Sequence, residues 1–168
     1  MVTKEELETK LNEALNKLFE ECGDIIKNEV HEKAISCLLR SYLVEKFEKW
    51  HIDVEYNRQW NKNKDSTFTK KLYKCPEIKT IIPDIIIHKR KEEKNLVVIE
   101  IKKNANRTKR EDDIKKINCT MNEKNYSFGA FIDLKTNDLC YEIYMFSNEN
   151  GNITSFNPIE DCYGAKTK

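Results

Sequence analysis

The sequence predicts an α/β fold, a mixed sheet flanked by helices on both faces, and three observations carry that prediction. Leucines recur at helical spacing near the N-terminus. Two β-branched runs, Ile85-Ile86-Ile87 and Leu96-Val97-Val98-Ile99, are joined by a charged connection and read as a hairpin. Beyond them a helical stretch, Thr108 to Asn122, is followed by two apolar runs, Ser127 to Leu134 and Leu139 to Phe146. Elements in this order build one sheet with helices packed on it. Four to six strands are expected. At 168 residues the chain is read as one domain, 1–168, with room for a core.

Taken in order, Thr3 to Glu20 reads as a helix packed on that core, with Thr3 as N-cap and Glu6 as its capping-box partner. Leu7, Leu11, Ala14, Leu15 and Leu18 form its stripe. Gly23 interrupts, and Asp24 is expected to cap a second helix reaching about Trp50. On that helix Glu32 shares an azimuth with Ile25, Ile35, Leu39 and Leu43, at about 100° per residue. A carboxylate on a buried face is costly unless it is paired or holds a metal. The plainer alternative is a boundary Glu reaching solvent. His31, about a quarter-turn away, reads as structural.

Ile52 to Tyr56 alternates as a strand, with Ile52, Val54 and Tyr56 on one face and Asp53 and Glu55 on the other. From Gln59 to Thr80 the chain is basic and interleaved with Trp60, Phe68 and Tyr73. Such a stretch suits base stacking, or a hairpin that tucks its aromatics inward. Between the two final strands Asn137-Asp138 is good turn chemistry, Ile153 to Phe156 adds an edge strand, and the last residues are expected to be disordered.

The chemistry concentrates at the end of the second β-branched run. By strand alternation Val98, Glu100 and Lys102 share one face, and Asp84 opens the neighbouring strand. A carboxylate and an ammonium at a strand end are commonly a solvated ion pair. The same groups also suit a hard divalent cation, which takes one or two carboxylates plus waters and substrate phosphates. Asp84 and Glu100 would supply carboxylates and Ile101 a carbonyl, while Lys102 would orient or deprotonate water or offset charge on phosphorus. His88 shares the Asp84 face but lies about 13 Å along the strand, too far for one metal.

Charge is segregated along the chain. Residues 58–116 hold 18 Lys and Arg against 9 Asp and Glu, whereas residues 1–57 hold 8 against 13. A basic surplus around the motif suits a phosphate backbone, and equally a solubilising surface. The six cysteines form no C-x-x-C pair, so zinc is not expected and reduced thiols are. No apolar run would span a membrane and no leader pattern opens the chain, so a cytoplasmic protein is expected. Phosphate-binding glycine loops and a G-x-S-x-G elbow are absent from the sequence.

Pro83-Asp84, fifteen residues, then Glu100-Ile101-Lys102 resembles the signature of the PD-(D/E)xK nuclease superfamily. The preceding helical Glu32 and the strand Asp53-Val54-Glu55-Tyr56-Asn57-Arg58 follow that superfamily's order, and the likeness spans roughly residues 28–134. More narrowly, the chain resembles small stand-alone prokaryotic members. The resemblance implies a restriction-endonuclease-like fold and a Mg²⁺- or Mn²⁺-dependent phosphodiesterase acting on DNA more than RNA. Asp84, Glu100, Lys102 and Glu32 would be catalytic, with Asp84, Glu100, Glu32 and the Ile101 carbonyl holding metal. Arg58, Lys103 and Lys116 would contact substrate, and Glu55 is a secondary candidate. A homodimer suits cutting of both strands, and a defence role is what such relatives suggest. Two other classes remain: a nucleic-acid-binding or interaction module that does not cut, and a structural domain whose charged residues make surface ion pairs.

Overall fold

The computed structural model describes residues 2–28, 30–56, 58–61, 67–70, 73–75 and 78–163, with the backbone alone for 58–61, 67–70, 73–75 and 78–80. Helix α1 spans Lys4–Lys27, and the Thr3 hydroxyl accepts from the Glu6 amide at 3.2 Å, as the capping pattern predicts. Leu7, Leu11, Ala14, Leu15 and Leu18 are all fully buried. The break expected at Gly23 does not occur. Gly23 sits inside α1, where a Cβ would lie 2.9 Å from the Leu139 side chain. It is a contact glycine: its missing side chain lets the helix approach the turn beneath it. Helix α2 instead spans Glu32–Lys46. Ile25, expected in line with Glu32, is 48% exposed and belongs to α1, whereas Ile35, Leu39 and Leu43 are buried on α2.

The main sheet contains seven strands, more than the four to six expected. Its members are β1 (His51–Val54), β6 (Ile85–His88), β7 (Asn95–Lys103), β8 (Tyr126–Lys135), β9 (Cys140–Glu149), β10 (Asn152–Ser155) and β11 (Ile159–Cys162). The order is β1-β6-β7-β8-β9, with β10 and β11 pairing to the two ends of β9. Only β7 and β8 run parallel, joined by helix α3 (Arg107–Lys124); every other pair is antiparallel, so the sheet is mixed. Among the described residues between 58 and 81, β2 (Arg58–Asn61) pairs antiparallel with β3 (Thr67–Lys70), and β4 (Tyr73–Cys75) with β5 (Ile78–Ile81). The side chains of Arg58, Trp60, Phe68 and Tyr73, and the tail beyond residue 163, lie outside the described residues.

Alternation splits the core in two. Ile85, Ile87, Val97, Ile99, Ile101 and Ile132 pack with α1 and α2, whereas Ile86, Val98 and Phe131 pack with Ile117 and Met121 of α3. Helices therefore cover both faces. Gly129 makes room for α3: an added Cβ would lie 2.4 Å from Ile117 and 2.6 Å from the Met121 sulfur. Arg110 pins the start of the helix, donating to fully buried Asp133 at 3.2 Å and to Glu142 at 3.1 Å. No described helix is long and apolar enough to cross a membrane.

Two local findings depart from expectation. Glu55 has φ 47°, which ends β1 and breaks the alternation. Tyr56 consequently turns to the α3 face, its ring centroid 4.9 Å from that of His88, rather than following Ile52 and Val54. Cys140 and Cys162 form a disulfide, where reduced thiols were expected. They are register partners on β9 and β11, a pairing that spacing alone does not reveal.

Gly129→Ala should therefore destabilise the fold by about 1–3 kcal/mol through overpacking under α3, measured by urea unfolding. A second expectation concerns Asp53. Burial pushes its carboxyl pKa up, but hydrogen bonds from Arg90 and His88 outweigh burial and hold it well below the ordinary range. Its stabilisation is thus present above the unfolded value, about 3.9, and is lost as pH falls through the depressed folded value. Asp53→Asn should be less stable than wild type at pH 7, with the gap narrowing below about pH 4.

Candidate functional site

The site forms where β7 outruns β6. Their last strand pair is Ile85 with Ile99. Carried one residue further, that register sets Asp84 opposite Glu100. With no β6 residue left to accept from it, the Ile101 amide donates to Asp84 Oδ2 at 2.7 Å. The Asp84 side chain thus continues a ladder that its backbone leaves. The Asp84 carbonyl accepts from the Glu55 amide at 3.1 Å, tying the end of β1 to the same point. By strand geometry the Ile101 carbonyl faces the same edge as its amide, while the Ile101 side chain is buried on the α1–α2 side.

Glu100 and Lys102 lie on the α3 face. Glu100 is 4% exposed, and its carboxylate has no hydrogen bond or ion pair among the described residues. Burial first, then the neighbouring Asp84 charge, pushes its pKa well above the usual carboxylate range. Asp84 is raised as well, mainly by burial, which outweighs the Ile101 hydrogen bond and the Lys102 charge. Two carboxyl groups of this kind in one place are unfavourable to the fold alone.

Lys102 Nζ donates to Glu32 Oε2 at 3.0 Å and lies 4.0 Å from Asp113 Oδ2. Burial opposes its charge, but the hydrogen bond to Glu32 and the Asp113, Glu32 and Asp84 charges outweigh it and raise its pKa. Glu32 reaches this point from the first turn of α2, across the end of β7. Its other oxygen accepts from the Lys103 amide at 3.3 Å, so both oxygens face donors.

The other candidates separate. Lys103 Nζ donates to the Val30 carbonyl at 2.7 Å and holds the entry to α2. Glu55 pairs with Lys33 at the rim of a cavity of about 770 Å³ that also exposes Glu32 and Asp84. Lys116 lines a smaller cavity of about 280 Å³ with Lys102 and Glu32, and its ammonium is held by Asp113. His88 is taken by Asp53 at 2.8 Å.

Two participants escape the sequence reading. Asp113 is 2% exposed on α3, four residues before Ile117 in the buried stripe. The azimuth reasoning applied to Glu32 would have found it. Asp133 pairs in register with Lys102 and also accepts from the Ala105 amide at 2.9 Å; it is the lone charge within the Ser127–Leu134 run.

Among the described residues no group of three His, Cys, Asp or Glu side chains is placed to hold a metal ion. Two carboxylates with waters suffice for magnesium, however, and an unpartnered buried carboxylate beside a second one fits a hard cation. Asp84 and Glu100 meet that description; Glu32, with both oxygens engaged, does not. In comparisons with known proteins the chain matches no protein-family model and no curated protein.

Glu100→Gln removes a buried carboxylate without changing its shape. It should raise stability at pH 7 by about 1–3 kcal/mol, read as a higher melting temperature in metal-free buffer.

Proposed function

We propose that this chain is a Mg²⁺- or Mn²⁺-dependent phosphodiesterase of restriction-endonuclease-like fold, cleaving nucleic acid, DNA more than RNA. One observation carries the reading: Glu100, buried and unpartnered among the described residues, sits beside Asp84 and two residues before Lys102 at a strand end. The order of elements supports it, with a helical Glu32 ahead of the two strands that bear Asp84 and Glu100.

In this reading Asp84 and Glu100 hold the cation, with the Ile101 carbonyl on the same edge. A bound cation supplies Lewis acidity at a phosphoryl oxygen and a more acidic water. The chain's own part is positional and electrostatic. Glu32 and Asp113 hold the Lys102 ammonium at the cleft, where it offsets charge developing on a phosphoryl oxygen. Glu32 thus serves by orienting Lys102 rather than as a metal ligand. The buried Glu100 carboxylate and the half-buried Asp84 beside it, costly alone, would be compensated by a bound cation.

A second reading has its own observation. Lys102 is already paired, and no three-ligand group occurs among the described residues. A module that binds nucleic acid or protein without cutting would keep that arrangement.

Plasmid, single-stranded DNA, RNA and branched DNA incubated with and without Mn²⁺ separate the two. Metal-dependent cutting is expected for wild type, and Lys102→Ala should reduce it at least about 100-fold while leaving the melting temperature within a few degrees. Binding without cutting by the folded wild-type protein would favour the second reading.

A further inference from the structure

Asp113 takes no part in the expected metal set, yet it is among the most buried charged groups of the α3 face. Its Oδ1 accepts from Lys116 Nζ one helical turn on, and its Oδ2 faces Lys102 Nζ at 4.0 Å. Lys116 is one-third exposed and lines the same small cavity as Lys102 and Glu32. Its stem is long and flexible, and the described residues nearby include one buried carboxylate with no hydrogen bond, Glu100. Asp113 lies between the Lys116 and Lys102 ammonium groups, and Lys102 is two residues from Glu100 on the same face of β7, so Lys116 is held at the end of the strand that carries Glu100.

An ammonium free to turn has two carboxylates to choose between. If it paired with Glu100, it would be a tethered counter-ion in the place a divalent cation needs, competing at high effective concentration. We propose that Asp113 is a positioning residue that holds the Lys116 ammonium away from Glu100, keeping Asp84 and Glu100 open to a divalent cation. The inference rests on the cation reading above and adds a task for two residues outside the ligand set.

The test is Mn²⁺ affinity, read by titration calorimetry and by loss of the free-ion electron paramagnetic resonance signal, without any cleavage assay. Four proteins are compared: wild type, Asp113→Asn, Lys116→Gln and the double variant. Melting curves confirm that each is folded. Asp113→Asn should weaken Mn²⁺ binding at least about tenfold, because Lys116 is released onto Glu100. Lys116→Gln should bind within about threefold of wild type, and the double variant should recover to the same level. A helix merely loosened by losing Asp113 would not be rescued by removing Lys116.

Unchanged binding in folded Asp113→Asn overturns the proposal. So does a double variant as weak as the single one, which would make Asp113 a ligand or a structural prop. Should the single variant fail to fold, the double variant decides alone: it removes both charges of the Asp113–Lys116 pair, and loss of binding in it overturns the proposal. A folded wild-type protein that binds no Mn²⁺ removes the cation reading itself, and the proposal with it.

Discussion

The site depends on one hydrogen bond, from the Ile101 amide to the Asp84 carboxylate at 2.7 Å. A strand that outruns its neighbour leaves backbone groups that must find other partners. Here the first residue past the end of β6 answers with its side chain. The carboxylate is thereby fixed at the point where β7 carries Glu100 and Lys102. Pro83, buried just before it, has no amide to give a ladder and so suits the place where pairing stops.

That arrangement is unfavourable to the fold by itself. Asp84 and Glu100 are both raised in pKa by burial, and each feels other carboxylates nearby. Lysines offset this incompletely: Lys102 is turned to Glu32, and Lys116 to Asp113. Among the described residues, ion pairs hold Glu32, Asp113 and Glu55, whereas none holds Asp84 or Glu100 at the β6–β7 boundary. Selection for stability alone would favour an apolar residue at Glu100, which continues the Val98 face.

Helix α3 is the second constraint. As the crossover between two parallel strands it must lie over the face that carries Glu100. Gly129 sets how closely it approaches, and Arg110, half-buried between Asp133 and Glu142, sets where along the sheet it sits. With those two contacts made, Asp113 and Lys116 come to the cleft. The same row links strands in register, Lys102 beside Asp133 and Asp133 beside Glu142.

Local chemistry in the sequence was enough for the stripe of α1, its Thr3 cap, the hairpin of β6 and β7, and the shared face of Glu100 and Lys102. These follow from periodicity and capping, which act over a few residues. Tertiary structure decided the rest. Gly23 looks like a helix stop until Leu139 is seen beneath it, because a glycine's missing side chain serves a neighbour as readily as a turn. The Cys140–Cys162 bond needs β11 laid against β9, and Tyr56 changes face because Glu55 takes a left-handed conformation. Above all, Glu32 looked like a ligand from its helix face, yet its position in the first turn of α2 delivers it to Lys102 and to the Lys103 amide. Which carboxylate is left unpaired depends on where every nearby donor ends up, and the donors and carboxylates of α2, β7, α3 and the start of β6 meet only in the folded protein.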